Sequence, residues 1–139
     1  MPVLIISRNE EKLKEQQASI SSKYNVPVRY IAHDYTKSLE ESKPFYETLD
    51  KELKELDADG GIGLLINNVG IANEIPKNME EFTEKEIDDM IQCNVYSTIF
   101  MSRAVFKYMK EKKNGAIVSI SSGSCNLPAP FLSLYSATK

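Results

Sequence analysis

GAIVSISSGSCNLPAPFLSLYSATK, residues 115–139, is the stretch on which the reading of the whole chain turns. Residues 116–120 are apolar and largely β-branched, the pattern of a strand buried in a parallel sheet. A polar corner follows at residues 121–124, then an apolar loop at 127–134, then the opening of a helix near Tyr135. Three groups here can handle a proton: Ser122, Tyr135 and Lys139. Ser122 follows the strand, so its hydroxyl sits at the carboxyl edge, where open α/β sheets bind ligands. Tyr135 and Lys139 are four residues apart, and a helix starting near Tyr135 stacks them on one face. An ammonium beside a phenol favours the phenolate. A phenol so placed can give up and recover a proton near neutral pH.

A strand ending in Ser122, a tyrosine thirteen residues on and a lysine four beyond resemble the signature of the short-chain dehydrogenases/reductases. The wording SSGSCNLPAPFLSLYSATK is similar to one branch of them. That branch holds the very-long-chain 3-oxoacyl-CoA reductases and the 17-beta-hydroxysteroid dehydrogenases related to them. The resemblance implies hydride transfer with a nicotinamide cofactor. It makes Ser122, Tyr135 and Lys139 catalytic, and has Tyr135 and Lys139 contact the cofactor as well. Lys139 would hold the nicotinamide ribose.

Bulk composition agrees with an enzyme of this kind. The 139 residues suffice for one domain. An apolar fraction of 42% and a charged fraction of 27% are ordinary for a soluble globular protein. A net charge of −3 carries no basic footprint for nucleic acid. The apolar runs at residues 3–6 and 62–66 are far shorter than the ~20 residues that span a bilayer. Met1 leads directly into a strand-like run, with no signal peptide. Cys93 and Cys125 lack metal or redox spacing, which fits two free thiols in a reducing compartment and no metal site.

Upstream, residues 3–6 read as a first strand. Asn9 is a helix cap, with Glu10 and Glu11 at the positive helix end. Leu13, Gln17, Ile20 and Tyr24 form its inward stripe. Arg8 lies at the strand tip, the place that faces the adenosine ribose in dinucleotide folds. An acid there takes the 2′-hydroxyl, and an arginine accommodates a 2′-phosphate. Arg8 therefore points to NADP(H). The competing reading is a surface arginine that balances Glu10 and Glu11. Residues 26–32 form a second strand ending at His33-Asp34, and the resemblance places Asp34 against the adenine amino group. His33, the only histidine, lacks a Ser–His–Asp arrangement and reads as a strand-end residue. Phe45, Leu49, Leu53 and Leu56 form the core-facing stripe of a helix opened by Ser42-Lys43-Pro44. Gly60-Gly61-Ile62-Gly63 looks like a phosphate loop but precedes a strand instead of following one, and is rejected as such.

The third strand, residues 63–66, runs into Asn67-Asn68-Val69-Gly70. This is similar to the family's Asn-Asn-Ala-Gly motif, with Val69 in place of Ala. The resemblance assigns Asn68 and Gly70 to the adenosine-ribose side of the cofactor. A plain Asn-Gly turn is the alternative. Thr83 and Glu86 make a capping box for one long helix to about residue 113. Its inward stripe runs Ile87, Met90, Ile91, Asn94, Thr98, Met101, Val105, Met109. Asn94 is polar where the pattern calls for an apolar group. The resemblance has it hold a water that links the lysine to solvent. A helix-packing amide is the alternative.

The alternation of strands and helices predicts a doubly wound parallel α/β sheet. The family's first strand and Thr-Gly-x-x-x-Gly-x-Gly loop do not precede Val3. The expectation is an incomplete Rossmann-like domain over residues 1–139, with two interior sheet edges open to self-association. Alone it would bind cofactor poorly and be inactive. The resemblance further implies an acyl-CoA or steroid substrate and the cytosolic face of the endoplasmic reticulum. Three functions follow: reduction of 3-oxoacyl thioesters, the same chemistry on a hydroxysteroid or another lipid ketone, or a non-catalytic piece that only binds.

Overall fold

The structure is a computed structural model describing residues 2–139. They form two compact units, residues 2–34 with 39–62, and residues 35–38 with 63–139.

In the first unit, β1 (Val3–Ser7) and β2 (Val28–Ala32) pair in parallel, Val3 opposite Val28 and Ser7 opposite Ala32. Helix α1 (Glu10–Tyr24) connects them. Asn9 caps it as expected, accepting from the Lys12 amide at 2.9 Å. Gln17 earns a place in the inward stripe by donating to the Val28 carbonyl at 2.7 Å. Tyr24 departs from the stripe and is exposed, and Asn25 turns left-handed (φ 50°) directly after it. Likewise β1 is half-buried, not covered on both faces, with β2 its only ladder neighbour among the described residues. Helix α2 (Lys43–Ala58) buries Phe45, Leu49, Leu53 and Leu56, the four positions that its periodicity marks. His33 stacks on Phe45, with ring centroids 3.8 Å apart and planes within 3°. Its amide donates to the Ser7 carbonyl at 2.9 Å, so this histidine is a strand-end packing group.

In the second unit, β3 (Leu64–Asn67) pairs in parallel with β4 (Ala116–Ser119). Gly60 and Gly61, both at positive φ, precede β3 and turn the chain into it. After β3 come a 3-10 turn (Met79–Glu81), α3 (Glu84–Ile91), a π turn (Gln92–Tyr96) and α4 (Ser97–Lys112). The short helix α5 (Ser133–Thr138) closes the chain. The capping box at Thr83 and Glu86 is present.

Burial of β3 and β4 corrects the sequence expectation. Every residue of β4 is exposed, as are Leu64 and Ile66. Alternation along β3 sends Asn67 and Leu65 to one face and Leu64 and Ile66 to the other. On the first face Asn67 donates from Nδ2 to Ser102 Oγ of α4 at 3.0 Å and lies near Ser119 Oγ at 3.4 Å. The second face has no cover among the described residues. The apolar runs were thus correctly read as strands, but burial on both faces needs layers that local sequence does not supply.

Candidate active site

Asn94 reaches the interior through a break in helical geometry. The Ser97 amide bonds to the Gln92 carbonyl, five residues back, where an α-helix would use Cys93. Two carbonyls of this turn also take side-chain donors. Ser97 Oγ donates to the Cys93 carbonyl, and Thr98 Oγ1 donates to that of Asn94 at 3.1 Å. The extra residue in the turn brings Cys93, Asn94 and Ser97 to the buried side together with Met90. A single uninterrupted helix, as the periodicity predicts, is therefore corrected to two α-helical segments joined by a π turn. Periodicity at 3.6 residues cannot report one wider turn.

The Asn94 carboxamide is almost fully engaged. Its Oδ1 accepts from the Ile71 amide at 2.8 Å, and its Nδ2 donates to the Ile71 carbonyl at 2.8 Å. The second Nδ2 proton goes to Thr138 Oγ1, also at 2.8 Å. Both N–H groups are spent, so only the second lone pair of Oδ1 remains for a further donor. Asn94 thereby ties the strand 3 exit, at Ile71, to the last turn of α5.

Tyr135 and Lys139 occupy that turn. The Lys139 amide donates to the Tyr135 carbonyl at 3.1 Å, the i to i−4 bond that the spacing predicts. Tyr135 packs on a cluster of Phe82, Met90 and Leu134, bordered by Ile71 and Ile87. The Lys139 ammonium comes over Gly70: a methyl group built on that glycine would lie 3.2 Å from Nζ and 3.4 Å from Asn94 Oδ1. A side chain at position 70 would crowd both groups. The flexible lysine tip would have to give by a few tenths of an ångström.

Ser122 caps a 3-10 turn, Gly123–Cys125, beyond β4. Its Oγ accepts from the Ser124 amide at 3.3 Å and from the Ser124 hydroxyl at 3.0 Å. Accepting twice leaves its own proton to donate elsewhere. Its neighbours fasten the corner to α5: Ser121 Oγ donates to the Lys139 carbonyl at 2.9 Å, and Cys125 Sγ to the Ser136 carbonyl at 3.5 Å. Beyond it, Leu127 and Phe131 are exposed apolar groups. Phe131 holds a left-handed φ of 64°, rare for a bulky residue, and its carbonyl accepts from Asn73 Nδ2 at 3.2 Å.

The structure thus brings Gly70, Asn94 and Lys139 together, sets Tyr135 one helical turn before the lysine, and ties the Ser122 corner to the same helix. Asn68 is exposed, and its side chain bonds to no described residue. The other predicted cofactor residues belong to the first unit, Asp34 half-buried after β2 and Arg8 exposed after β1. Arg8 does not balance Glu10. Glu10 instead pairs with Lys14 at 2.8 Å and accepts from Tyr30 Oη at 3.3 Å. Sequence reasoning passed over Thr138, Ser124 and Asn73, small polar groups whose bonding partners lie on other elements or across a tight turn.

The comparisons with known proteins come from the same residues. A family profile described as short chain dehydrogenase matches residues 1–139. Very-long-chain 3-oxoacyl-CoA reductase from Homo sapiens is 38% identical over 141 residues, covering 100% of this chain and 42% of that protein. 17-beta-hydroxysteroid dehydrogenase type 3 from Danio rerio is 37% identical over 142 residues, covering 100% of this chain and 43% of that protein. Inactive hydroxysteroid dehydrogenase-like protein 1 from Pongo abelii is 37% identical over 137 residues, covering 99% and 39%. The chain therefore spans about two-fifths of the length of these relatives. Among solved structures, NAD+-bound xylitol dehydrogenase superposes with a TM-score of 0.81 at 22% identity, over 99% of this chain and 50% of that one. A metagenomic short-chain oxidoreductase in complex with NADP gives 0.80 at 22% identity, over 99% and 58%. Both share the Rossmann-like α/β fold. With the family profile spanning every residue, the chain belongs to the short-chain dehydrogenase family.

Proposed function

We propose that residues 1–139 are part of the dinucleotide-binding, catalytic domain of an NADP(H)-dependent oxidoreductase that reduces a lipid ketone, foremost a 3-oxoacyl-CoA. The observation that carries this reading is the Lys139 ammonium over Gly70, one helical turn from Tyr135. The residues present fit a nicotinamide cofactor. In the second unit Gly70 lies against the lysine tip and Asn68 is exposed just before that glycine in sequence; in the first, Asp34 stands at the end of a parallel strand. Arg8, exposed and unpaired among the described residues, fits a 2′-phosphate and so NADP(H) over NAD(H).

NADPH, when bound, supplies hydride to a carbonyl carbon. The protein's part is to hold the carbonyl and manage the proton. Ser122 donates to the oxygen as negative charge develops on it, with its lone pairs already occupied by Ser124. Tyr135 delivers the proton from its Oη. Lys139 places positive charge beside that phenol and holds the nicotinamide ribose. Asn94 supports proton resupply through the open lone pair of Oδ1, the position left for a water. Exposed Leu127 and Phe131 suit an apolar substrate wall.

The 17-beta-hydroxysteroid dehydrogenase relative favours a second reading, the same chemistry on a steroid ketone. A panel of 3-oxoacyl-CoA thioesters and steroid ketones, followed by NADPH consumption in the full-length protein, separates the two. The relative named inactive supports a third, a binding piece without turnover. Tyr135→Phe in the full-length protein is expected to lower kcat by about 10²-fold or more with folding unchanged. Near-normal turnover in that variant would remove Tyr135 from its role, and no turnover of any panel member by the parent would favour the third reading.

A further inference from the structure

We propose that Thr138 is a positioning residue that locks the Tyr135–Lys139 turn to the π turn carrying Asn94. This rests on the catalytic reading above. Thr138 Oγ1 ties α5 to another element, accepting from Asn94 Nδ2 at 2.8 Å while donating to the Tyr135 carbonyl at 2.9 Å. The same carbonyl accepts the Lys139 amide at 3.1 Å. The backbone oxygen of the proposed proton donor is thus the meeting point of two bonds, one of them continued into the protein interior through a buried amide.

The direction of donation is fixed by chemistry. A carboxamide nitrogen can only donate, and a carbonyl can only accept, so the threonine proton must point at Tyr135. Consecutive bonds of this kind polarise one another. Rotating α5 about its axis would break the Asn94–Thr138 bond and move the Lys139 ammonium away from Gly70. Thr138 therefore sets where the phenol and the ammonium stand without touching substrate. Serine keeps the hydroxyl and valine keeps the shape, which makes the two functions of the side chain separable.

Thr138→Val and Thr138→Ser in the full-length protein test this. Expected for Thr138→Val is a fall in kcat of about tenfold or more with KM within about twofold, the signature of misplaced reacting groups. Thr138→Ser should restore kcat to near the parent value. A second readout is independent of turnover: acetylation of Lys139 by acetic anhydride, followed by peptide mass spectrometry. It should be faster in Thr138→Val than in the parent and Thr138→Ser, as the ammonium leaves its place over Gly70. Parent-like kcat and parent-like labelling in a folded Thr138→Val protein would overturn the inference. If Thr138→Val does not fold, Thr138→Ala is read in the same two assays. If the parent reduces no ketone, the catalytic reading fails, and the labelling comparison alone decides whether Thr138 positions the lysine.

Discussion

Helix α2 buries Phe45, Leu49, Leu53 and Leu56 along a single apolar stripe, whereas the π turn and the start of α4 bury the polar Asn94 and Ser97. The first arrangement is non-directional. Its stabilisation grows with area removed from water, about 25 cal/mol per Å², and tolerates any side chain of similar volume. The second is directional. Each bond of Asn94 has one partner at one distance, and the partners lie on the strand 3 exit and on α5. Apolar packing makes the first unit cohere. A polar clamp ties the Tyr135–Lys139 turn of the second unit to Ile71 through Asn94.

Volume-conserving substitutions would break or sharpen this contrast. Asn94→Leu keeps the size but strands the Ile71 amide and carbonyl, and should lower stability by about 3 kcal/mol or more. Leu49→Met, at the most buried position of α2, should cost less than about 1.5 kcal/mol. Chemical denaturation measures both, and equal losses would erase the distinction between stripe and clamp.

A smaller, pH-dependent effect belongs to the second unit. Glu86 is held down to about 2 from an ordinary 4.5, first by its bond from Lys77, then by the Thr83 amide and hydroxyl. The folded value lies below the unfolded one. Its stabilisation is therefore complete above pH 4.5 and fades as pH falls toward about 2. Glu86→Gln should flatten the stability profile across that window while leaving the clamp intact. An unchanged slope would show that the capping carboxylate is not what the acid limb titrates.

The smallest effect on stability is expected at Arg8. Arg8→Ala, at an exposed position without an ion pair among the described residues, should stay within about 0.5 kcal/mol of the parent. In the full-length protein it should nonetheless reduce the preference for NADPH over NADH, measured as a ratio of kcat/KM values. An unchanged ratio would assign Arg8 to the surface and leave the cofactor choice to other residues.

Periodicity, caps and turn residues determine much of this molecule. The Asn9 cap, the Thr83–Glu86 box, the α2 stripe and the Tyr135–Lys139 spacing all depend on neighbours within about one or two helical turns. Short-range geometry is written directly into residue order. Tertiary structure alone decided how Asn94 is satisfied, at Ile71 and at Thr138. Those contacts join residues 23 and 44 positions apart, through a π turn that the 3.6-residue repeat conceals. It also decided that Leu64, Ile66 and β4 remain exposed, because burial of a strand depends on what lies above and below it, and nothing in the strand's own sequence specifies that.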